Sequence, residues 1–398
     1  MVSESEPARP TRARSSHVRT RVERRQALRA RAVRRRRRAA IGLVLLVLVL
    51  PFAYSYVSTM LQPSSVPLGI RSVEWARTHG FVWFVNTAEQ KWYSWHAPAK
   101  GGPSLKTLPQ VGRAARALPA VRPRRVQPAI TPRLPGEGVW HAAGIGGGSV
   151  LVTTFRTDPA YPRLVAYAAW IDHRRTQLAL YPGRYEPPSA PVRGPMQVPY
   201  GERWRLLATF NSGFTHRDGR GGFAINGVSY EPMRIGDATL LAYRDGRVDV
   251  KTWRGGLAPG PDVALARQNL PLIVTGGQRS PSLQDGPAWG ATLGNAIRVW
   301  RSGVGVDRHG NLIYAAADSQ TVTSLADILI RAGAVRAMQL DINAEWPTFN
   351  VYPRSGGRDG IKIVPNSQQT ARRYLSPDDR DFFAIFRRSG APTKVSFR

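Results

Sequence analysis

The sequence predicts an α+β protein, with a β-rich, mixed and mostly antiparallel sheet, few helices, and a single transmembrane helix ahead of them. Three observations predict this. An apolar run without charge starts at Ala39. After Gly136 short runs of Val, Leu, Ile and aromatic residues alternate with Gly, Pro and Asp-Gly punctuation. A single helical pattern, between Ser324 and Gly333, interrupts that strand series.

The chain has 398 residues, of which 42 % are apolar, enough to fill a sizeable core. Its net charge of +31 is unevenly distributed. Residues 1–38 hold fourteen Arg against Glu4, Glu6 and Glu23, so this tail carries +11 and leaves +20 downstream. Residues 39–57 carry no charge and include the run Ile41 to Leu50, long enough with its flanks to span hydrocarbon. Arg34 to Arg38 abut one end of that run, while Tyr54 and Tyr56 sit near the other. Positive-inside bias and aromatic anchoring therefore predict a signal-anchor in the cell membrane, single-pass, with the N-terminus cytoplasmic and the rest extracytoplasmic. A cleaved signal fits less well, because the basic region is long and no small-x-small site follows. Clustered Arg can also neutralise nucleic-acid phosphates. The tail lacks aromatics and a folded reader, so no nucleic-acid partner is expected and anionic inner-leaflet lipid is the expected contact. The chain has no cysteine, which excludes disulfides, thiol catalysis and cysteine metal sites.

Residues 58–96 form a Trp-rich juxtamembrane segment, in which Trp75, Trp83, Trp92 and Trp95 accompany apolar residues at roughly helical spacing. This predicts an amphipathic helix near the membrane surface whose aromatic residues pack. Residues 97–135 contain eight Pro, eight Lys or Arg and no acid, the composition of an extended linker. The domain that carries function is then expected over 136–398. Its predicted strands are 150–156, 164–172, 177–181, 204–210, 223–230, 239–243, 248–253, 270–275, 302–307 and 312–317, with Asp245-Gly246 and His309-Gly310-Asn311 as hairpin turns. Ser324 with Asp327 suggests a capping box, Leu325, Ile328, Leu329 and Ala332 an apolar face, and Gly333 a stop. A buried strand from Ala337 to Leu340 then delivers Asp341, Asn343 and Glu345 into a loop.

Nucleotide fingerprints, HExxH and the GxSxG elbow are absent, and the seven histidines are scattered without metal spacing. The glycine-rich stretch Gly144 to Ser149 lacks the Lys of a phosphate loop and reads as a turn. No metal or cofactor is expected. Four ordered segments remain: Phe210-Asn211-Ser212-Gly213-Phe214 with Gly222 to Gly227; Thr275-Gly276-Gly277 with Asp285-Gly286; Arg301 to Asp307; and the helix leading to Gln339-Leu340-Asp341. Their order over roughly residues 200–390 resembles the phosphodiester glycosidase family. The chain departs from that pattern after Asp341, where Ile342 to Pro347 replace a run of glycines, and at Ser212 and Thr215 in the first segment.

The resemblance implies a hydrolase that cleaves a sugar-1-phosphodiester in a phosphorylated glycan or wall polymer. Such a reaction needs a cation on the phosphate, for which Arg301 offers a planar fork, and a carboxylate at the anomeric carbon or its water, for which Asp341 and Glu345 are candidates. Asn211 completes the expected catalytic set. Ser212, Gly213, His216, Gly276, Gly277 and Asn343 are the expected substrate contacts. Two other readings stay open. One is a non-catalytic envelope module that grips phosphorylated polysaccharide or anionic lipid. The other is a scaffold that holds a protein through the Trp-rich segment. A carboxylate facing an arginine in one pocket favours the enzyme, whereas a broad exposed apolar patch near residues 66–96 favours the scaffold.

Overall fold

A computed structural model of the chain describes residues 14–111, 122–143, 148–189, 194–290, 297–365 and 369–388. The expectations for the start of the arginine tail, for the middle of the 97–135 segment and for Gly144 to Gly147 lie outside these residues. The chain divides into two compact units, Met1–Gln62 and Pro63–Arg398. In the first, α1 (Arg14–Leu61) is one continuous helix with Pro51 inside it. Its part Glu23–Leu61 is long and apolar enough to cross a bilayer and none of its apolar window is buried.

The second unit begins with two helices, α2 (Leu68–Thr78) and α3 (Val82–Trp95). Sequence periodicity suggested a single helix here. Gly80, at φ 91°, breaks it, a backbone state that residues with a Cβ rarely adopt. Strands follow as β1 (His141–Ala142), β2 (Val150–Asp158), β3 (Tyr161–Ile171), β4 (Thr176–Tyr181) and β5 (Leu206–Asn211). After the one-turn helix α4 (His216–Gly219) come β6 (Phe223–Ile225), β7 (Val228–Glu231), β8 (Ala238–Tyr243), β9 (Val248–Thr252), β10 (Val263–Gln268), β11 (Leu272–Thr275) and β12 (Gln278–Arg279). The last group is β13 (Val299–Val306), β14 (Leu312–Gln320), the helix α5 (Val322–Arg331), β15 (Arg336–Gln339), β16 (Phe349–Val351), β17 (Ile361–Lys362) and β18 (Phe382–Arg387). The expected strand 223–230 is a hairpin instead. Asn226 and Gly227 both take positive φ, 53° and 86°, the requirement of a tight two-residue turn.

The strands form three antiparallel sheets. The largest runs β1-β2-β3-β14-β13-β15-β11-β12; the others run β7-β6-β10-β8-β9 and β17-β16-β5-β18-β4. One apolar cluster joins all three sheets through residues such as Tyr167, Phe210, Leu240, Val304, Phe349 and Phe383. The opposite face of the large sheet packs against α5, whose Leu325, Ile328 and Leu329 are buried with Phe155, Trp170 and Ile313. The helix starts earlier than its sequence pattern suggested. Thr321 is the N-cap and exchanges bonds with Ser324, while Asp327 turns outward to Arg279 at 2.7 Å. Two acceptors three residues apart compete for that role, and the one nearer the end of β14 wins.

The described parts of 97–135 do not stand away from the domain as a spacer. Gly101 donates to Ala160 O at 2.8 Å, Thr154 to Pro109 O at 3.2 Å, and Trp140 Nε1 to Arg124 O at 2.9 Å. Val126 is buried, and Arg156, paired at 2.8 Å with Glu137, donates to Ile130 O and Pro132 O. The physical reason is that every residue in a proline-rich segment keeps its carbonyl. Buried arginines and the indole of Trp140 supply donors that composition alone does not reveal.

Candidate functional site

A cleft of about 580 Å³, lined by charged and apolar side chains alike, lies where β15 ends, between the loop that follows it and the helices α2 and α3. Asp341 forms its floor. Two bonds hold its backbone: Ser302 N and Ser302 Oγ both donate to Asp341 O, at 3.0 and 2.9 Å. Its carboxylate receives Arg380 Nη2 at 2.7 Å on Oδ2 and the Asn343 amide at 3.0 Å on Oδ1. Burial raises the Asp341 pKa, while Arg380 and the amides of Asn343 and Ile342 pull it down. Arg380 lies over the Trp346 ring, 4.7 Å from its centroid, and also donates to Gly213 O at 3.3 Å. Burial lowers the Arg380 pKa, but Asp341, with Glu186, Glu74 and Asp381, outweighs it and raises the guanidinium above the ordinary arginine value.

The other wall comes from the helices. Arg77 of α2 pairs with Glu74 at 2.9 Å and with Glu89 of α3, and all three side chains face the cleft with Val82 and Asn86. Arg217 and Asp218 of α4 stand at the cleft's exposed edge, 3.4 Å apart. Gly290, at φ 84°, allows a close approach there. A Cβ at that position would meet Ile342 at 2.4 Å and Phe214 at 2.9 Å.

The expected site residues are only partly brought together. Asp341 and Asn343 line the cleft. Glu345 lies behind them with one carboxylate oxygen buried and unpartnered among the described residues. Burial, reinforced by Glu74 and Glu89 and opposed by Arg77, pushes its pKa up to about 7. Arg301 is not at the cleft. It is 1 % exposed and donates to Gln320 O at 2.9 Å, Trp289 O at 2.9 Å, Ile297 O at 3.2 Å and Gln339 Oε1 at 2.6 Å. Without a carboxylate bonded to it, its pKa is pushed down to about 10 by burial.

Asn211 is likewise a brace. Its Nδ2 donates to Ser302 Oγ at 3.0 Å, and its Oδ1 accepts from Tyr314 OH at 2.9 Å and Thr348 N at 3.0 Å. It thereby ties β5 to the serine that holds Asp341. Ser212 is buried beside it with its hydroxyl unbonded to the described residues. Gly213 lets Asn269 approach, since a Cβ would meet that side chain at 3.0 Å. His216 is not among the residues that line the cleft. Its ring lies 3.5 Å from Glu231 and its amide donates to Glu186 at 2.9 Å. Gly276 and Gly277 make the turn between β11 and β12 with φ of 60° and 77°, at the edge of the large sheet. Asp285, from the same sequence segment, accepts from Thr323 N at 3.0 Å and so supports the start of α5.

Sequence reasoning missed Arg380 and the α2–α3 wall. A signal for the arginine was present in Asp378-Asp379-Arg380-Asp381. Asp378 is taken by Arg373 at 2.8 Å and Asp381 by Arg267 at 2.7 Å, which leaves Arg380 to reach Asp341. No local pattern links helices near residue 80 to a loop near residue 343.

Fold and site together define a β-rich domain of mixed architecture that presents a carboxylate–guanidinium pair in a cleft at a strand end. Residues 205–341 match the family model for phosphodiester glycosidase, the family resembled by the four ordered segments. The chain is also similar to the catalytic domain of zebrafish N-acetylglucosamine-1-phosphodiester alpha-N-acetylglucosaminidase, with 16 % identity over 61 % of this chain and 84 % of that one and a TM-score of 0.42. It is similar to a hypothetical protein from Synechocystis, with 13 % identity over 60 % of this chain and 62 % of that one and a TM-score of 0.36. A comparison with curated proteins finds no match.

Proposed function

We propose that the cleft hydrolyses a glycosyl phosphodiester in an envelope polymer or exported glycan. The observation that carries the reading is the Asp341–Arg380 pair at the floor of a cavity, together with the family match that ends on Asp341. Arg380 is oriented by Asp341 and backed by Trp346, and it supplies the permanently charged donor that a phosphodiester requires. Asp341 serves the anomeric carbon as nucleophile or activates water, and Asn343 orients its carboxylate through the backbone amide. The departing phosphate is already a stable anion, so a strong general acid is not needed. Arg301 and Asn211 act at one remove, holding the strands that place Asp341.

The long apolar helix and the arginines before it support an anchor with the N-terminus inside and the cleft domain outside. The non-catalytic alternative is a module that binds phosphorylated polysaccharide or anionic lipid; Glu74 and Glu89, which already neutralise Arg77, weaken it by repelling an anionic ligand. Turnover separates the two. Purified protein should release sugar from p-nitrophenyl or nucleotide-linked sugar phosphodiesters, and Asp341→Asn should nearly abolish release while phosphodiester binding persists. Binding by the unaltered protein without turnover of any such compound would give the cleft to the binding reading.

A further inference from the structure

Helix α3 has two faces, and only one is used by the cleft. Val82, Asn86 and Glu89 look into the cavity. Phe81, Phe84, Ala88, Trp92 and Trp95 fall within an arc of about 80° on a different side, at about 100° per residue. All five are exposed, with Phe84 at 65 %, Trp92 at 58 % and Trp95 at 77 %. No residue of α3 is buried. The sequence led to the expectation that these aromatics pack, yet in the folded unit they lie open to solvent. Trp83, exposed on the other flank, sets its ring edge-on to Phe84 with centroids 4.9 Å apart.

We infer that this aromatic stripe docks into the headgroup layer of the bilayer, and that the cleft walled by the same helix receives its glycosyl phosphodiester from a membrane lipid. The substrate clause rests on the reading under Proposed function, and the docking clause rests on the anchor. Three observations select a bilayer as the occupant. The compact unit starts at Pro63, directly after the unit that contains the apolar helix ending at Leu61, so α3 begins 21 residues beyond that helix in the chain. Trp and Phe are the residues that settle at headgroup depth, where a partly apolar ring is stable and a fully aqueous one is not. Lys91 is exposed on the edge of the stripe and supplies attraction to anionic headgroups. An interfacial helix sits roughly 5–10 Å into the headgroup and acyl boundary, so its cleft-facing side lies within reach of a sugar phosphate carried on a lipid.

The absence of native cysteine makes the test direct. Single-cysteine full-length variants Phe84→Cys, Trp92→Cys, Trp95→Cys, Gln90→Cys and Leu45→Cys are labelled with a polarity-sensitive fluorophore and reconstituted in phosphatidylcholine–phosphatidylglycerol vesicles containing spin-labelled lipid. Each variant must melt as the unaltered protein does. Docking predicts severalfold quenching at 84, 92 and 95, little at 90, which faces away from the stripe, and strong quenching at 45. Quenching at 45 with none at 84, 92 or 95 overturns docking and leaves the anchor intact. No quenching at 45 overturns the anchor and docking together. Crosslinking of the stripe to a second copy, with no quenching, assigns the face to a dimer and also overturns the inference.

Activity supplies the second arm. Phe84→Asp with Trp92→Asp and Trp95→Asp should lower turnover of a vesicle-borne sugar phosphodiester at least tenfold and leave a short water-soluble one unchanged. Equal rates on both substrates would overturn the lipid-borne class. Lack of turnover on either by the unaltered protein would remove the hydrolase reading, while the quenching pattern still decides docking.

Discussion

Arg301 and Arg380 are both enclosed arginines close to the end of β15, yet their surroundings assign them opposite tasks. Arg301 spends its fork on three backbone carbonyls and a glutamine amide, all within the core. Arg380 pairs with a carboxylate, stacks on an indole and borders an open cavity. Burial opposes the charge of both, but only Arg380 has a bonded carboxylate, Asp341, which together with Glu186, Glu74 and Asp381 outweighs it. An arginine that bonds carbonyls cross-links backbone, and one that meets a carboxylate at a cavity can exchange or share its partner with a ligand.

The contrast is most easily broken through turnover. Arg380→Ala should cut hydrolysis of a sugar phosphodiester roughly a thousandfold, about 4 kcal/mol of barrier, with the melting transition retained. Steady-state rates on folded protein measure it, and an unchanged rate would put the phosphate elsewhere.

A buried pair remote from the cleft marks what purely structural loss looks like. Glu137→Ala strands Arg156, both side chains being 1 % exposed or less, and should cost about 3 kcal/mol of stability in a denaturant titration. The same experiment tests whether the proline-rich segment is part of the fold, because Glu137 and Arg156 together hold its carbonyls and amides.

Arg301→Lys keeps the charge but not the fork, and should cost about 2 kcal/mol by leaving carbonyls unpaired. Turnover per folded molecule should stay within about threefold of the unaltered protein. A collapse of turnover with an unchanged melting point would return Arg301 to the chemistry and reverse the comparison.

The smallest effect is a pH profile. Glu345 titrates near 7 in the folded chain against an ordinary glutamate value of 4.5, so the folded state holds the proton more tightly. Its contribution to stability is therefore present below about 4.5 and is lost as pH rises through about 7. The thermal midpoint should fall over that window, and Glu345→Gln should flatten the fall. An identical slope in the variant would show that another group carries it.

Much of this molecule is local in origin. The apolar run at residues 39–57, the alternating strands after Gly136, the body of the helix after Ser324 with its buried stripe and the delivery of Asp341 at a strand end all follow from side-chain period and turn chemistry within about ten residues. Those patterns persist in any environment, so the sequence by itself determined them. Tertiary structure decided which charges meet. Arg301 and Arg380 look alike as residues; pairing across β13, β14 and β15 buries one among carbonyls, and the approach of residue 380 to residue 341 sets the other at a cavity. It also decided that the described parts of 97–135 pack and that α3 walls the cleft with one face while leaving its aromatic face bare. Each outcome depends on partners distant in the chain, and hydrogen-bond donors, carbonyls and burial from such partners leave no period in the sequence.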